Sequence, residues 1–492
     1  MVRKESHQKP PIAPREWIVA VCGSITLGFT SWGLGGVVTW SLHAMLFGGL
    51  LTLFFAICPL PSKLNGFDGR HGNWRNFKRL FLSPIFWFGT CFLIYITIQA
   101  LNPAAEVVRD ERGWWVEATY PPLAVWLPTS VRSDYEPMNA WRILVMHSAA
   151  VFLSLGLVVG LSRRLTTCVV LWSLFLNGTC MAMVAVIQNF SDTNKILWIF
   201  PSENPLSWGS FFYRNQCAAY FAWTILIGIL LYFFHVNRSR KLGLSGGPHF
   251  LCVFLNAAVL FSAYLANSRA GIIFTTIIFL WFSILLFVDF CFSLKNGNQL
   301  SGSLIAFALV SMFACLLYFG ANQVDWHRLQ ERFGGFDRLK LEMESGNRAL
   351  ASRATFDMAN DRLHYGWGAG SFRYIFPMYQ KNYPDLFYSE WLIWEGERGR
   401  DFYRYAHNDI LQFLSEYGIV GVCLLLGMFG AFWCYCISYL TKSFYIASSI
   451  LVASSISVVH AYIDFIYHSP AYWVAFLGVI GPATKLLYLD TR

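Results

Sequence analysis

Charge is what this sequence has least of. Lysine, arginine, aspartate and glutamate make up 13% of its 492 residues, about half the ~25% of an ordinary soluble domain. That scarcity excludes a soluble multidomain protein. Apolar residues fill the gap, at 56% of the chain with a mean hydropathy of +0.46. Cysteine spacing of the kind that builds a disulfide framework or a zinc site is also missing. The cysteines lie in or beside apolar runs, where they act as small hydrophobes, and the long polar stretch 321–417 has none. A nucleic-acid surface is excluded by distribution. The net charge of +9 is dispersed over short connections between apolar runs, as membrane topology requires. The first apolar run lacks a small-residue cleavage site, so it reads as a retained span and not as a cleaved secretory signal.

What is present is a series of runs long enough to cross a bilayer, for which ~20 residues suffice. They fall at 17–36, 39–60, 81–101, 141–161, 166–189, 216–235, 249–267, 271–293, 302–320, 418–439, 443–463 and 471–488, which predicts about twelve spans. The class is an all-α polytopic membrane protein. Basic residues lie at the N-terminus, in 61–80, at Arg163 and Arg164, at Arg238, Arg240 and Lys241, at Lys295, at Lys442 and at Arg492. Twelve spans with both termini cytoplasmic put every one of these clusters inside, as the positive-inside rule demands. The same parity puts 102–140, 190–215, the tight break Asn267–Gly271 and the long stretch 321–417 outside. A stretch of that length predicts helices of its own, at Leu350–Leu363 and at Asp409–Tyr417 leading into the next span.

Several outer residues carry chemistry. Arg214 stands where the sixth span begins, and Arg269 stands in Asn267-Ser268-Arg269-Ala270-Gly271. Each is either a snorkelling anchor or a functional cation, and an outside arginine in a tight hairpin opposes the charge rule. Gly366-Trp367-Gly368-Ala369-Gly370-Ser371-Phe372 resembles an anion-holding turn. No strand leads into it and no acidic residue follows at dinucleotide spacing, so a structural turn is the leading reading. His407 has the residue type for a general base, while Asn408 and Asp409 beside it suit a helix cap. No second histidine or cysteine stands near His407 at metal-ligand spacing, so no metal and no cofactor is expected. His460 and Asp464, spaced i and i+4, form an ionisable pair late in a span, either functional or a helix-packing hydrogen bond.

Taken in order, Arg214-Asn215, Asn267-Ser268-Arg269-Ala270-Gly271, Arg353 ahead of the glycine run, and Ala406-His407-Asn408-Asp409 running through Gly421 resemble the O-antigen ligase and polymerase superfamily of bacterial membrane glycosyltransferases. The segment His460-Ala461-Tyr462-Ile463-Asp464-Phe465 is similar to a late-span motif of its polymerase-like branches. One departure is Gln216, where many relatives carry histidine. The resemblance spans roughly 200–470 and divides the chain into an N-terminal transmembrane bundle (1–200), a catalytic region (201–470) and a last helix with its tail (471–492).

The resemblance implies a GT-C-type helical fold in the bacterial inner membrane. It implies transfer of a glycan from an undecaprenyl-diphosphate carrier to an acceptor hydroxyl on the periplasmic face, without a metal. By matching position, Arg214 and Arg269 would bind the diphosphate and His407 would activate the acceptor. Arg353, Asn408, Asp409, His460 and Asp464 would support them. Three acceptor classes stand open: lipid A-core, a growing polysaccharide, and a protein side chain. The competing reading is a proton-coupled or small-solute transporter, with His460 and Asp464 on the proton path. No repeat relates the two halves of the sequence, and the large outer stretch has no natural transport role.

Overall fold

A computed structural model describes residues 11–491 apart from 66–68, 112, 120–121, 192–194, 203–205, 245–246, 296–345 and 395–396. Its long helices, in chain order, are α1 (Pro14–Trp32), α2 (Thr39–Ile57), α3 (Gly69–Leu82), α4 (Pro84–Leu101), α5 (Ala140–Gly160), α6 (Arg164–Asn189), α7 (Arg214–Lys241), α8 (His249–Leu265) and α9 (Arg269–Lys295). After the undescribed stretch come α10 (Asn347–Asp361), α11 (Phe372–Gln380), α12 (Asp409–Ser438), α13 (Phe444–Ile463) and α14 (Pro470–Asp490). Nine of the described helices are long and apolar enough to cross a membrane. The chain is therefore a mostly helical, multi-pass membrane protein. α8, at 17 residues, is shorter, and α1 carries Arg15 and Glu16 in its first turn. The expected span 302–320 lies outside the described residues.

α7 is the axis of the bundle. Its apolar stretch is buried on all sides, because tyrosine, phenylalanine, tryptophan, leucine and isoleucine follow one another round the helix with no polar face. α5 and α14 are mostly buried too, and the remaining long helices keep one side outward.

The two ends of the bundle differ in chemistry. At one end Arg15 donates to the carbonyls of Phe55, Ala56 and Cys58, closing the C-terminus of α2. Beside it the buried Glu16 carboxylate accepts from the Ser162 and Arg163 amides at 2.8 and 2.6 Å and from the Thr166 hydroxyl at 2.5 Å, capping α6. Arg79 reaches Ser162, Arg164 reaches the Leu489 carbonyl, and Arg240 grips Asp289 with both guanidinium arms at 2.7 and 2.6 Å. Among the described residues, Arg79, Arg163, Arg164, Arg240 and Lys241, which the sequence assigned to one side, do share one end.

The opposite end carries a polar layer. β1 (Pro103–Asp110) and β2 (Gly113–Ala118) pair as an antiparallel hairpin, and β3 (Ser130–Arg132) adds to β1 in parallel. α10 and α11 lie on this sheet over a small core of their own that includes Val131, Ala354, Met358, Phe372 and Phe376. A second hairpin joins β4 (Tyr388–Trp394) and β5 (Glu397–Arg400). The expected helix at 350–363 is α10, starting slightly earlier. The expected helix at Asp409–Tyr417 runs on into its span as α12, with a break at Gly418.

Candidate active site

The glycine run and the break in α12 explain each other. Gly418 has φ +62°, so the turn before it leaves carbonyls without helical partners. The Trp367 amide donates to Ser415 at 2.8 Å and the Gly368 amide to the Glu416 carbonyl at 2.9 Å. Tyr95 and Gln99 of α4 donate to the Tyr417 and Glu416 carbonyls. Buried Glu416 turns its carboxylate to the same run, accepting from the Gly370 amide at 3.0 Å and from Gln412 at 3.1 Å. One glycine amide of the run, that of Gly370, does face a carboxyl group, and it is the protein's own. Gly368 has φ +104°, and a Cβ there would lie 2.4 Å from Ser130 Cα, so the run also locks the outer layer onto the bundle.

Just before α12 stands His407, with φ +54°, a backbone conformation that costs a non-glycine residue energy and collects at functional positions. Asn408 is the N-cap, its side chain accepting from the Leu411 amide at 3.1 Å. His407 Nδ1 lies 3.3 Å from Asp464 Oδ1. Asp464 is the residue that ends α13 and is fully buried. Its carboxylate also takes the Asn215 amide and its own neighbour's N–H from Phe465 at 2.9 Å, with Arg348 at 3.8 Å. Burial alone would raise this carboxyl. The His407 hydrogen bond and the charge of Arg348 outweigh burial and hold it down at about 2. Asp464 is an anion at any physiological pH.

Around the pair is an aromatic stack. Phe465 lies between Tyr213 at 5.1 Å and Tyr405 at 4.5 Å, both nearly parallel to it, and His407 meets its face edge-on at 4.7 Å. Burial pushes the Tyr213 hydroxyl up to about 12; Asp464 adds to the rise while Arg348 and Arg214 oppose it.

A second acid–histidine pair lies behind the first. The buried Asp409 carboxylate accepts from the Tyr467 amide at 2.7 Å and pairs with His468 Nδ1. The Asp409 amide points to the Asp464 carbonyl at 3.4 Å, so the two pairs share a backbone link. Burial would lower His468, but the Asp409 and Glu416 carboxylates prevail over it and over Arg373, and the ring is held above its ordinary value.

His407, Tyr213, Tyr405, Phe465 and His468 all line one open cavity of about 1320 Å³ between the bundle and the polar layer. Arg109, Arg142, Arg373 and Arg404 line it as well.

Of the residues singled out from sequence, the structure brings together His407, Asn408, Asp409 and Asp464, with Arg214 near enough to act on Tyr213. Arg269, exposed, starts α9, where Asn267 at φ +52° makes the hairpin tight. Arg353 is exposed on α10. The hydrogen bond between His460 and Asp464 is a backbone one, the Asp464 amide donating to the His460 carbonyl at 3.0 Å. The carboxylate is engaged by Asn215 and His407 instead, and His460 packs on Phe274. Sequence reasoning missed His468, although Tyr467-His468-Ser469-Pro470 carried a signal: a histidine directly before a proline-started span.

Residues 254–426 match the family model described as O-Antigen ligase. Comparison with curated proteins gives no match.

Proposed function

We propose, from the O-antigen ligase domain that the chain carries at residues 254–426, that this protein transfers a glycan from an undecaprenyl-diphosphate carrier to an acceptor hydroxyl. The observation that carries this reading is His407 on the wall of the large cavity, paired behind it with the buried Asp464. With Nδ1–H donated to Asp464, the Nε2 lone pair of His407 is left to accept a proton. The acceptor oxygen forms its bond to the anomeric carbon as its proton passes to Nε2. The glycosidic C–O bond to the diphosphate breaks, and its electron pair stays on the phosphate oxygen. Asp464 stabilises the imidazolium formed in that step, as a buried carboxylate can.

Arg214 and Arg269 are the groups we assign to the diphosphate. Guanidinium is always charged and binds two oxygens at once, so it can neutralise the leaving group without a metal. The carrier's lipid tail keeps the donor in the bilayer, which suits an active site at the end of a membrane bundle. In this reading the fold is GT-C-type with twelve spans in the inner membrane, both termini are cytoplasmic, and the site is periplasmic. Against the transporter alternative, the Asp464 carboxylate hydrogen-bonds His407, while the hydrogen bond of Asp464 to His460 runs through backbone.

Purified protein incubated with a lipid-linked oligosaccharide and each acceptor class, with products weighed by mass spectrometry, tests the reading. His407→Ala is expected to cut transfer by about 100-fold or more, the usual worth of a general base. Arg214→Ala and Arg269→Ala should abolish it, and Arg269→Lys should be damaging, since lysine loses the fork. Normal transfer by all of these variants would sink the assignment.

A further inference from the structure

The cavity beside His407 has more positive charge and more volume than the transfer step needs. Neither Arg214 nor Arg269 lines it. If those two hold the donor's diphosphate, as proposed above, the arginines of the cavity serve something else. Four arginines face two carboxylates there, Glu136 and Asp401. Arg142 lies 3.8 Å from Glu136, and Arg109 lies 3.9 Å from Asp134. Arg373 and Arg404 remain, and among the described residues neither has an ion pair. Arg373 spends one arm on the Pro137 carbonyl and lies over the Tyr405 ring at 5.7 Å. Arg404 is exposed.

His468 supplies the independent observation. It is 6% exposed, and its Nε2 is buried with no hydrogen-bond partner among the described residues, while its other nitrogen is committed to Asp409. A buried ring nitrogen without a hydrogen-bond partner is costly, which makes it a position waiting for one. A recess of about 10 Å³ off the large cavity is lined by His468, Arg373 and Arg404 together. Glu416 lines it too, but its carboxylate is already occupied by the Gly370 amide and by Gln412.

We propose that the cavity is the acceptor subsite and that it selects a sugar carrying an anionic group, a carboxylate or a phosphate ester, held by His468 Nε2, Arg373 and Arg404. Against burial, the Asp409 and Glu416 carboxylates raise the proton affinity of His468, and with Nδ1 engaged by Asp409 the protonated ring offers Nε2–H to the anion. The cavity of about 1320 Å³ exceeds the ~300–1,000 Å³ of an ordinary small-molecule site and holds several sugar residues.

The test uses the full-length protein in detergent with three acceptor probes: an oligogalacturonide, its carboxyl-reduced neutral counterpart, and the neutral oligosaccharide bearing one phosphate ester. Binding is measured without donor, and transfer with it. The wild type is expected to bind at least one acidic probe about 10–100-fold more tightly than the neutral one, the worth of one or two charge-assisted hydrogen bonds. Which acidic probe wins distinguishes carboxylate from phosphate. Arg404→Gln and Arg373→Gln should bring the acidic-to-neutral ratio towards one, and His468→Gln should lower it. Lys381→Gln, an exposed change in the same layer, should leave the ratio unchanged. Arg404 is exposed, so its variant stays informative if His468→Gln fails to fold. Equal binding of acidic and neutral probes by the wild type, or a ratio unmoved in Arg404→Gln, overturns the subsite. Arg404-dependent binding of an acidic probe without transfer to any acceptor upholds the subsite and overturns the transferase reading. Transfer to acidic and neutral acceptors alike does the reverse.

Discussion

Asp464 is buried, charged and shared among three donors, which makes it the residue whose loss should be read most clearly. Its carboxyl is held at about 2 in the folded protein against ~3.9 in an unfolded chain. The contribution to stability is fully present above pH ~3.9 and is lost as pH falls towards 2, roughly 2 kcal/mol in all. Asp464→Asn should therefore flatten the acid limb of thermal stability between pH ~4 and ~2, measured by unfolding in detergent. At neutral pH the same variant should lower kcat by about 10²–10⁴-fold, because His407 loses the anion that orients Nδ1 and stabilises its charged form. An unchanged kcat would leave Asp464 a packing residue. Asn408 is a contrast: its side chain is used up as a cap, so it positions the start of α12.

At the scale of elements, the glycine run and the broken helix form one device. α12 is interrupted at Gly418, and a Cβ there would lie 2.3 Å from the His364 carbonyl. Gly368→Ala should be poorly folded, since the new Cβ meets Ser130 backbone in a chain that also needs φ +104°. Gly430→Ala, in the same helix α12 with nothing within 4 Å, should be tolerated. Monodisperse yield after solubilisation measures both, and equal yields would show that the run is not a lock. The composition of Gly366–Phe372 was legible as a turn. Its partner was not, because a carboxylate 46 residues later leaves no local trace in the sequence.

Over the whole molecule the two ends of the bundle do different work. Arg15 and Glu16 close helix ends at the face where the basic clusters gather, far from His407. Glu16→Ala frees two amides and a hydroxyl and should cost about 1–3 kcal/mol. A lower Tm with kcat/KM unchanged in the surviving protein is the expected result. A fall in kcat/KM at full stability would mean that the two faces are coupled.

The sequence by itself determined the membrane class, the positions of most spans and, among the described residues, the common end of the basic side chains. These depend on composition, run length and charge order, all of which are local or additive along the chain. Strands β1 and β2 were not read from the sequence; they pair across a turn in which the Gly113 amide donates to Asp110. Only the tertiary structure decided what His407 works with. Asp464, Asn215 and Arg348 come from three elements up to 249 residues apart. His468 and the cavity arginines likewise acquire meaning only when α12, α14 and the polar layer meet. Burial turns a carboxylate into a partner and an unpaired ring nitrogen into a site, and burial is a property of the packed chain.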